Sequence, residues 1–331
     1  MKVVFIGVVS MGWHCLKALL ESGASVVGIF TADKKGMVKK SLMHPDYFSD
    51  FDGLALKYSV PLYKISDVTM PPDIQKIREL QPDIIFCIGW PQIIKREILQ
   101  IPQYGCVGVH PTLLPERRGG APINWCLIDG LSKSGVTLFY FSEGVDSGDI
   151  ITQREYEITL KDTAGTVLSK ATDIAVELVK EYYPLLEKGN APRLPQEDAE
   201  ATYTRRRCPE DGIINWSRTS LSIYNWIRAL TLPFPGAFTY WNGEKIIIWE
   251  SELLRGYKPR FDGQPGEILD IMDKKGMVIA TGDSCILVKT VEVGGQPTSG
   301  EEIIRRLKIT PGIILGGNQH GKGISSRASS R

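Results

Sequence analysis

One histidine and one aspartate stand at the ends of two apolar segments that follow each other along the chain. The segment GCVGVH (105–110) ends on His110, and a proline and the glycine-rich basic loop ERRGG follow it. The segment GVTLFYFS (135–142) leads into the acidic loop EGVDSGDI, where Asp146 is the acid flanked most closely by small residues. An imidazole and a carboxylate that meet in one crevice can polarise a carbonyl group and accept a proton. The alternative is that a histidine at a strand end and an acid in a turn are both structural.

A βαβ pattern in the first half of the chain supplies elements that can bring the two side chains together. Short apolar runs are typical of buried strands, and residues 12–23 have the apolar spacing of a helix. The runs span 2–9, 25–31, 82–90 and 105–110. This rhythm predicts an α/β domain with a doubly wound, mostly parallel sheet. Because ligands bind beyond the carboxyl ends of parallel strands, we expect His110 and Asp146 within a few ångströms of each other, with Gly108 on the same wall.

Changes of pattern along the chain predict two folded domains. An amphipathic helix over 163–188 closes the first domain, and a polar, proline-containing stretch follows it as a linker or covering strap. From about Glu267, short strands separated by glycines predict a small C-terminal β-barrel of the OB type. The polar stretch 34–51 is expected to form a mobile surface loop. The predicted boundaries are 1–190 for the catalytic domain, 191–250 for a connector, 251–315 for the barrel and 316–331 for a disordered tail.

The composition of the 331 residues is that of an ordinary globular protein, with a formal net charge of +1. This balance argues against a general affinity for nucleic acid or for anionic membranes. Six cysteines occur without a C-x-x-C pair, which predicts a reduced, cytoplasmic protein without a disulfide framework or a metal site. We expect no signal peptide, because polar residues follow the first short apolar strand at once. We also expect no membrane span, because Gln, Pro and Gly interrupt the uncharged stretch 98–115.

The loop after His110 and the loop around Asp146 resemble the signature of the formyltetrahydrofolate-dependent formyltransferases. The stretch HPTLLPERRGGAPINW is similar to that family's H-P-S-L-L-P-x-x-R-G-x-x-P loop, and GVTLFYFSEGVDSGDII is similar to its G-V-T…D-x-G-x-I strand and loop. The resemblance continues through a connector-like stretch at 206–251 and reaches about residue 315. It implies a Rossmann-like formyltransferase fold. It also implies an enzyme that passes the formyl group of 10-formyltetrahydrofolate to a primary amine, with tetrahydrofolate as the product.

The resemblance implies roles for individual residues. His110 and Asp146 match the family's catalytic histidine and aspartate. The amine attacks the formyl carbon, His110 stabilises the oxyanion, and Asp146 takes up the proton, directly or through water, and positions His110. The residues implied to bind the cofactor are Cys87, Ile88, Gly89, Trp90, Ile94, Leu113, Leu114, Val145 and Asp146. The residues expected on the side of the amine are Pro111, Arg118, Gly119, Gly120 and Arg228.

Gly108 departs from the family's catalytic pattern, which has an asparagine two residues before the histidine. Glycine has no side-chain donor, and the loss of one oxyanion donor lowers turnover by roughly 100- to 1000-fold in other enzymes. Three explanations stay open: another donor, such as a backbone amide or Asn124, replaces the asparagine; the chain is of an asparagine-lacking type; or the protein is slow, altered or inactive. The structural alternative is that glycine leaves room for a bulky group against the strand. We favour a working transferase.

The sequence favours a nucleotide-linked aminosugar as the amine, with initiator methionyl-tRNA as the alternative. The stretch from Cys208 to the end carries fifteen Lys or Arg against thirteen Asp or Glu, a small excess for a surface that binds nucleic acid. The basic segment KKGMVKK (34–40) is short. Arg228 and the aromatic residues near it suit a phosphate and a nucleotide ring, although packing also explains such aromatics.

Two further alternatives use no amine, a 10-formyltetrahydrofolate hydrolase and a folate-binding protein without turnover. The hydrolase would share His110 and Asp146 with the transferase and would take water as the acceptor. A folate-binding protein without turnover remains an alternative because Gly108 has no side-chain donor. A homodimer is compatible with the sequence.

Overall fold

The structure, a computed structural model, describes residues 1–33, 47–254, 256–257 and 263–316. The chain forms two compact units, the first made of residues 1–208 with 232–235, and the second of 209–231 with the residues from 236 onward. Segment 34–46 of the predicted surface loop and residues 317–331 of the predicted tail lie outside the described residues.

The first unit contains the strands and helices that the βαβ pattern predicts. Its strands are β1 Lys2–Ile6, β2 Ser25–Thr31, β3 Leu62–Lys64, β4 Ile84–Cys87, β5 Cys106–His110, β6 Arg118–Gly119, β7 Lys133–Tyr140, β8 Ile150–Glu157 and β9 Tyr203–Thr204. Its α-helices are α1 Ser10–Glu21, α2 Asp52–Tyr58, α3 Pro71–Glu79, α4 Arg96–Leu99, α5 Pro122–Ile128 and α6 Ala164–Glu187. Across the described parts of the chain, no helix is both long and apolar enough to cross a membrane.

Seven strands of the first unit form one sheet, in the order β3-β2-β1-β4-β5-β7-β8. The pairs from β3 to β5 are parallel, whereas β7 is antiparallel to both β5 and β8. In β1 the four residues VVFI are all 0% exposed, so both faces of the sheet are covered at this strand. The predicted α/β domain with a mostly parallel sheet is confirmed.

The second unit is built on an antiparallel sheet. Its elements are α7 Ser220–Leu230, β10 Ala237–Trp241, β11 Glu244–Leu253, β12 Ile268–Met272, β13 Gly276–Ala280, β14 Cys285–Val293, β15 Gln296–Ser299 and α8 Gly300–Leu307. The described strands pair along the path β10-β11-β14-β13-β12, and β15 pairs with β14. The prediction of a small C-terminal β domain is confirmed.

The limits of the two units differ from the predicted domain boundaries. The first unit continues through residues 191–208, and β10 and most of β11, which fall in the predicted connector, pair within the second unit's sheet. The reason is visible in β11, where Ile246 and Ile248 alternate with more exposed residues and are both 0% exposed in the core around Trp216. The boundary therefore lies near residue 208, and the predicted connector is not a separate element.

A hydrogen-bond network around the carboxylate of Asp162 lies at the N-terminus of the long helix α6. Its Oδ2 accepts hydrogen bonds from the backbone amide of Thr159 at 2.7 Å and from Nζ of Lys170 at 2.9 Å. Its Oδ1 accepts one from the hydroxyl of Thr166 at 2.9 Å. Burial alone would raise the pKa of this carboxyl group, but the hydrogen bonds outweigh burial and lower the pKa from 3.8 to about 2.

We expect Asp162→Asn to destabilise the first unit in a pH-dependent way. Because the pKa in the folded state lies below that in the unfolded state, the ionised carboxylate stabilises the fold above about pH 4, and this contribution is lost as the pH falls towards 2. The shift corresponds to about 2 kcal/mol at neutral pH. Urea unfolding should show this difference between wild type and variant at neutral pH and a smaller one near pH 3. An equal difference at both pH values would contradict the assignment.

Candidate active site

His110 is the last residue of β5, and its imidazole has a partner on each side. The residue is 5% exposed. Its Nε2 lies 2.9 Å from the carbonyl oxygen of Arg117, and its Nδ1 lies 3.6 Å from Oδ2 of Asp146. The predicted proximity of His110 and Asp146 is confirmed.

The Arg117 carbonyl determines how the imidazole of His110 can carry protons. A carbonyl oxygen only accepts, so Nε2 is the donor, and in the neutral ring Nδ1 then holds the lone pair. Since Nδ1 faces a carboxylate, only the doubly protonated ring can donate to both neighbours. The 3.6 Å separation is longer than a hydrogen bond, so Nδ1 is available to a molecule bound between the two side chains.

Asp146 reaches His110 by a route that the sequence did not predict. Strand β7, which precedes the aspartate, runs antiparallel to β5 and pairs Thr137 with His110 and Tyr140 with Val107. The carboxyl ends of these two strands therefore point in opposite directions, and the expectation that parallel strand ends bring the two residues together is wrong. The loop 141–149 returns the chain to His110 instead.

Asp146 has a left-handed backbone conformation, with φ of 49°. This conformation costs a residue with a Cβ atom about 1–2 kcal/mol and persists where the surroundings hold it. The backbone amide of Gly119 donates to Oδ2 of Asp146 at 2.8 Å, so the oxygen that faces His110 is fixed by a neighbouring strand. The side-chain amide of Gln196 donates to the carbonyl oxygen of Asp146 at 2.9 Å.

His110 and Asp146 line a cavity of about 920 Å³ in the first unit, a size typical of cofactor sites. Lys95 and Arg206 contribute positive charge to the lining. Eight further residues predicted to contact the cofactor or the amine line it as well: Cys87, Gly89, Trp90, Ile94, Pro111, Gly119, Gly120 and Val145. In the described ranges, no group of three or more His, Cys, Asp or Glu could hold a metal ion.

Three residues predicted to bind the cofactor, Ile88, Leu113 and Leu114, are not among the described residues that line the cavity. Ile88 is 0% exposed. Leu113 packs over Gly135, and Leu114 is buried in a cluster with Phe139. Direct contact of these three residues with a cofactor stays a prediction.

The two arginines predicted to contact the amine are both buried inside the protein. Arg118 is 1% exposed and donates hydrogen bonds to Gln196, Asp198 and Tyr203. Arg228 belongs to α7 of the second unit and is 5% exposed. Within the described residues, neither arginine belongs to the lining of the cavity, and their contact with the amine stays a prediction.

Family models match both units of the chain. A model described as formyl transferase matches residues 1–182, and a model described as formyl transferase, C-terminal domain, matches residues 208–308. The chain belongs to the formyl transferase family. It is therefore a formyltransferase, as the resemblance of its two loops implied.

Relatives of this formyl transferase are similar over almost its whole length. The methionyl-tRNA formyltransferase of Bacillus subtilis (strain 168) is 32% identical over 319 residues, which cover 96% of this chain and 98% of the relative. The methionyl-tRNA formyltransferase of Acetivibrio thermocellus is 35% identical over 319 residues, which cover 96% of this chain and 100% of the relative.

A solved structure of the Helicobacter canadensis N-formyltransferase, in complex with folinic acid and dTDP-3-aminofucose, has a similar fold. The TM-score is 0.63 at 19% identity, and the similarity covers 87% of this chain and 98% of that chain. At this level of identity the comparison supports the fold alone.

In this formyl transferase, Gly108 makes room for the ring of Phe141. A Cβ atom at residue 108 would lie 2.7 Å from Cζ of Phe141 and 2.9 Å from the carbonyl oxygen of Cys87, and it would be closer still to Cε1 of Phe141. The structural explanation of Gly108, room for a bulky group, is confirmed. Phe141 lines the cavity, so an aromatic ring stands beside the position of the family's asparagine. Asn124, considered as a replacement donor, lines the same cavity and is 3% exposed.

Phe141, Gln196 and Arg206 are functional candidates that sequence patterns do not identify. Phe141 ends an alternating apolar segment, and its only signal was Gly108, which pointed to a large neighbour without naming it. Gln196 and Arg206 lie in the polar stretch that was interpreted as a linker or covering strap. Polar residues in such a stretch look like solvent-exposed residues until their buried partners are known.

We expect Gly108→Asn to lower formyl transfer rather than to restore a lost donor. The new side chain would meet Phe141 and the backbone of Cys87 before it could enter the cavity. Overpacking of this kind costs about 1–3 kcal/mol of stability. Single-turnover formyl transfer and urea unfolding measure the two effects. Faster transfer in Gly108→Asn than in wild type would contradict the assignment.

A double-mutant cycle with Phe141→Ala separates the clash with the ring from the clash with the backbone. The ring accounts for part of the crowding, so the double variant should lose less stability than the sum of the two single variants. The single variant Phe141→Ala measures the loss of stability caused by the cavity that the missing ring leaves. Simple additivity would mean that the ring does not crowd residue 108.

Proposed function

We propose that this formyltransferase takes its formyl group from 10-formyltetrahydrofolate and passes it to the amino group of initiator methionyl-tRNA. The observation that carries the reaction is the 3.6 Å separation of His110 Nδ1 and Asp146 Oδ2 inside a cavity large enough for a cofactor. The acceptor is supported by the relatives named methionyl-tRNA formyltransferase, which are 32% and 35% identical over 96% of the chain.

The cavity suits a folate in size and in chemistry. Trp90, Ile94 and Phe141 offer apolar surface for a flat ring system, and Lys95 and Arg206 offer positive charge for carboxylates. The Helicobacter canadensis enzyme of similar fold carries folinic acid, which adds support for a folate as the formyl donor.

His110 and Asp146 have different roles in the transfer. The bound folate supplies an electrophilic formyl carbon. In its doubly protonated form, His110 can donate from Nδ1 to the formyl oxygen as negative charge develops there, while its Nε2–H stays bonded to the Arg117 carbonyl. Asp146 can accept the proton that the attacking amine loses, directly or through a water. That proton then passes to the nitrogen of the leaving folate, so one C–N bond forms as the other breaks and charge is balanced.

The aminosugar nucleotide favoured by the sequence has weaker support. Arg228, expected to pair with a phosphate, is 5% exposed within the second unit. Phe238, one of the aromatic residues near it in sequence, is 5% exposed and packs edge-on against Tyr240. Packing within the second unit therefore explains these side chains, and the weight of support moves to methionyl-tRNA.

The acceptor can be tested by supplying 10-formyltetrahydrofolate with one acceptor at a time. We expect tetrahydrofolate release and formylation with initiator methionyl-tRNA, and much slower release with a dTDP-linked aminosugar or without any amine. Rapid transfer to the aminosugar would overturn the proposed acceptor. Formate release without an amine would identify a hydrolase, and folate binding without release in any arm would identify a protein without turnover.

We expect His110→Ala and Asp146→Asn each to lower turnover by about 100-fold or more, the scale of one positioned acid–base or oxyanion group. His14→Ala is the matched control, because His14 lies on α1, where its ring bonds the Ser10 carbonyl 2.8 Å away. The control should keep the wild-type rate. Turnover near the wild-type rate in either active-site variant would contradict the mechanism.

A further inference from the structure

Gln196 contacts the loop that carries Asp146 with both protons of its side-chain amide. Its Nε2 donates to the carbonyl oxygen of Asp146 at 2.9 Å and to that of Gly148 at 2.7 Å. An amide nitrogen has two protons, so its donor capacity is fully used on this loop. One side chain therefore holds the backbone on either side of residue 147.

Arg118 fixes the direction in which that amide points. Oε1 of Gln196 accepts from Nε of Arg118 at 3.0 Å and from Nη2 at 2.9 Å. A rotated amide would place its NH₂ group against the guanidinium and its oxygen against two carbonyls, so only the observed orientation satisfies all four contacts. Arg118 is itself anchored by Asp198 at 2.9 Å and by the hydroxyl of Tyr203 at 3.1 Å.

Gly119, the residue next to Arg118, also bonds Asp146. The amide of Gly119 donates to Oδ2 of Asp146, so residues 118 and 119 act on the aspartate through its backbone and through its carboxylate. Strand β6, which contains both residues, pairs with β9 of the strap 191–208. The buried arginine thus links the strap to the left-handed residue that faces His110.

We propose that Gln196, oriented by Arg118, is a positioning residue that holds Asp146 at His110 for formyl transfer. This rests on the proposed function, because the consequence of the hold is measured in that reaction. Gln196 does not line the cavity described here, so it acts through Asp146 and not by touching the substrate. The competing explanation is that Gln196 only fastens the strap to the first unit.

Two substitutions at the same residue separate these explanations. Gln196→Met removes all four contacts. Gln196→Glu keeps oxygens for Arg118 but has no proton for the carbonyls of Asp146 and Gly148. Positioning predicts that both variants lower kcat by about 10- to 100-fold, the scale of a small misplacement of a catalytic group. A strap fastened through Arg118 alone predicts that Gln196→Glu keeps wild-type kcat, and that result would overturn the proposal.

Glu197→Gln is the matched control, since Glu197 is the exposed neighbour of Gln196 and, within the described residues, its side chain bonds neither Arg118 nor the Asp146 loop. In this variant kcat should stay within about twofold of wild type. Combining Gln196→Met with Asp146→Asn gives the decisive cycle. If Gln196 acts through Asp146, the double variant should match Asp146→Asn alone within about twofold. A further loss as large as that of Gln196→Met alone would overturn the proposal.

A readout without turnover comes from the imidazole signals of His110 in NMR spectra. The chain has four histidines, so the His110 signals can be assigned by their loss in His110→Gln. Gln196→Met and Gln196→Glu should shift these signals in the direction that Asp146→Asn shifts them. Unchanged His110 signals in folded Gln196 variants would contradict positioning. Wild type that transfers no formyl group to any acceptor would instead refute the proposed function, which keeps the two failures distinct.

Discussion

The active site depends on the hydrogen bonds that keep Asp146 beside His110. They are needed because the strand that precedes Asp146 runs away from His110. Strand β7 carries the chain away from His110, and loop 141–149 has to bring it back. The return ends in a left-handed residue with a carboxylate that faces an imidazole, which is an arrangement the loop would not keep alone. Hydrogen bonds from Gly119 and from Gln196 hold Asp146 in place, so the strap 191–208, which contains Gln196, takes part in shaping the site.

The packing of Phe141 over Gly108 gives the same site an apolar wall. A phenyl ring near His110 lowers the local polarity, which strengthens hydrogen bonds that are made and raises the cost of those that are not. The polar atoms next to this wall are paired accordingly. Nε2 of His110 has the Arg117 carbonyl, and Oδ2 of Asp146 has the Gly119 amide. Nδ1 of His110, held 3.6 Å from the carboxylate, is the ring nitrogen left for the reaction.

The sequence was informative where a feature is local and less informative where it depends on direction or on distant partners. Apolar runs and helical spacing predicted the α/β unit, and the motifs predicted His110 and Asp146. The segment GVTLFYFS has the same pattern whichever way it runs, so its antiparallel pairing with β5 was not visible. Arg118 illustrates the other difficulty. An arginine in a glycine-rich loop looks like a ligand for an anion, and only its distant partners Gln196, Asp198 and Tyr203 identify it as buried support.

The absence of an asparagine at residue 108 is better explained by a repacked active site than by a silent one. A folate-binding protein without turnover needs the cavity walls, but it has no physical need for a carboxylate held in a costly backbone conformation opposite an imidazole. Here that conformation is present. The side-chain amide of Gln196 donates both of its protons to the loop that contains Asp146, and its oxygen accepts two hydrogen bonds from Arg118. The exchange of an asparagine for a glycine also has its own structural reason in the ring of Phe141. The geometry around Asp146 therefore favours proton transfer at this site over binding alone.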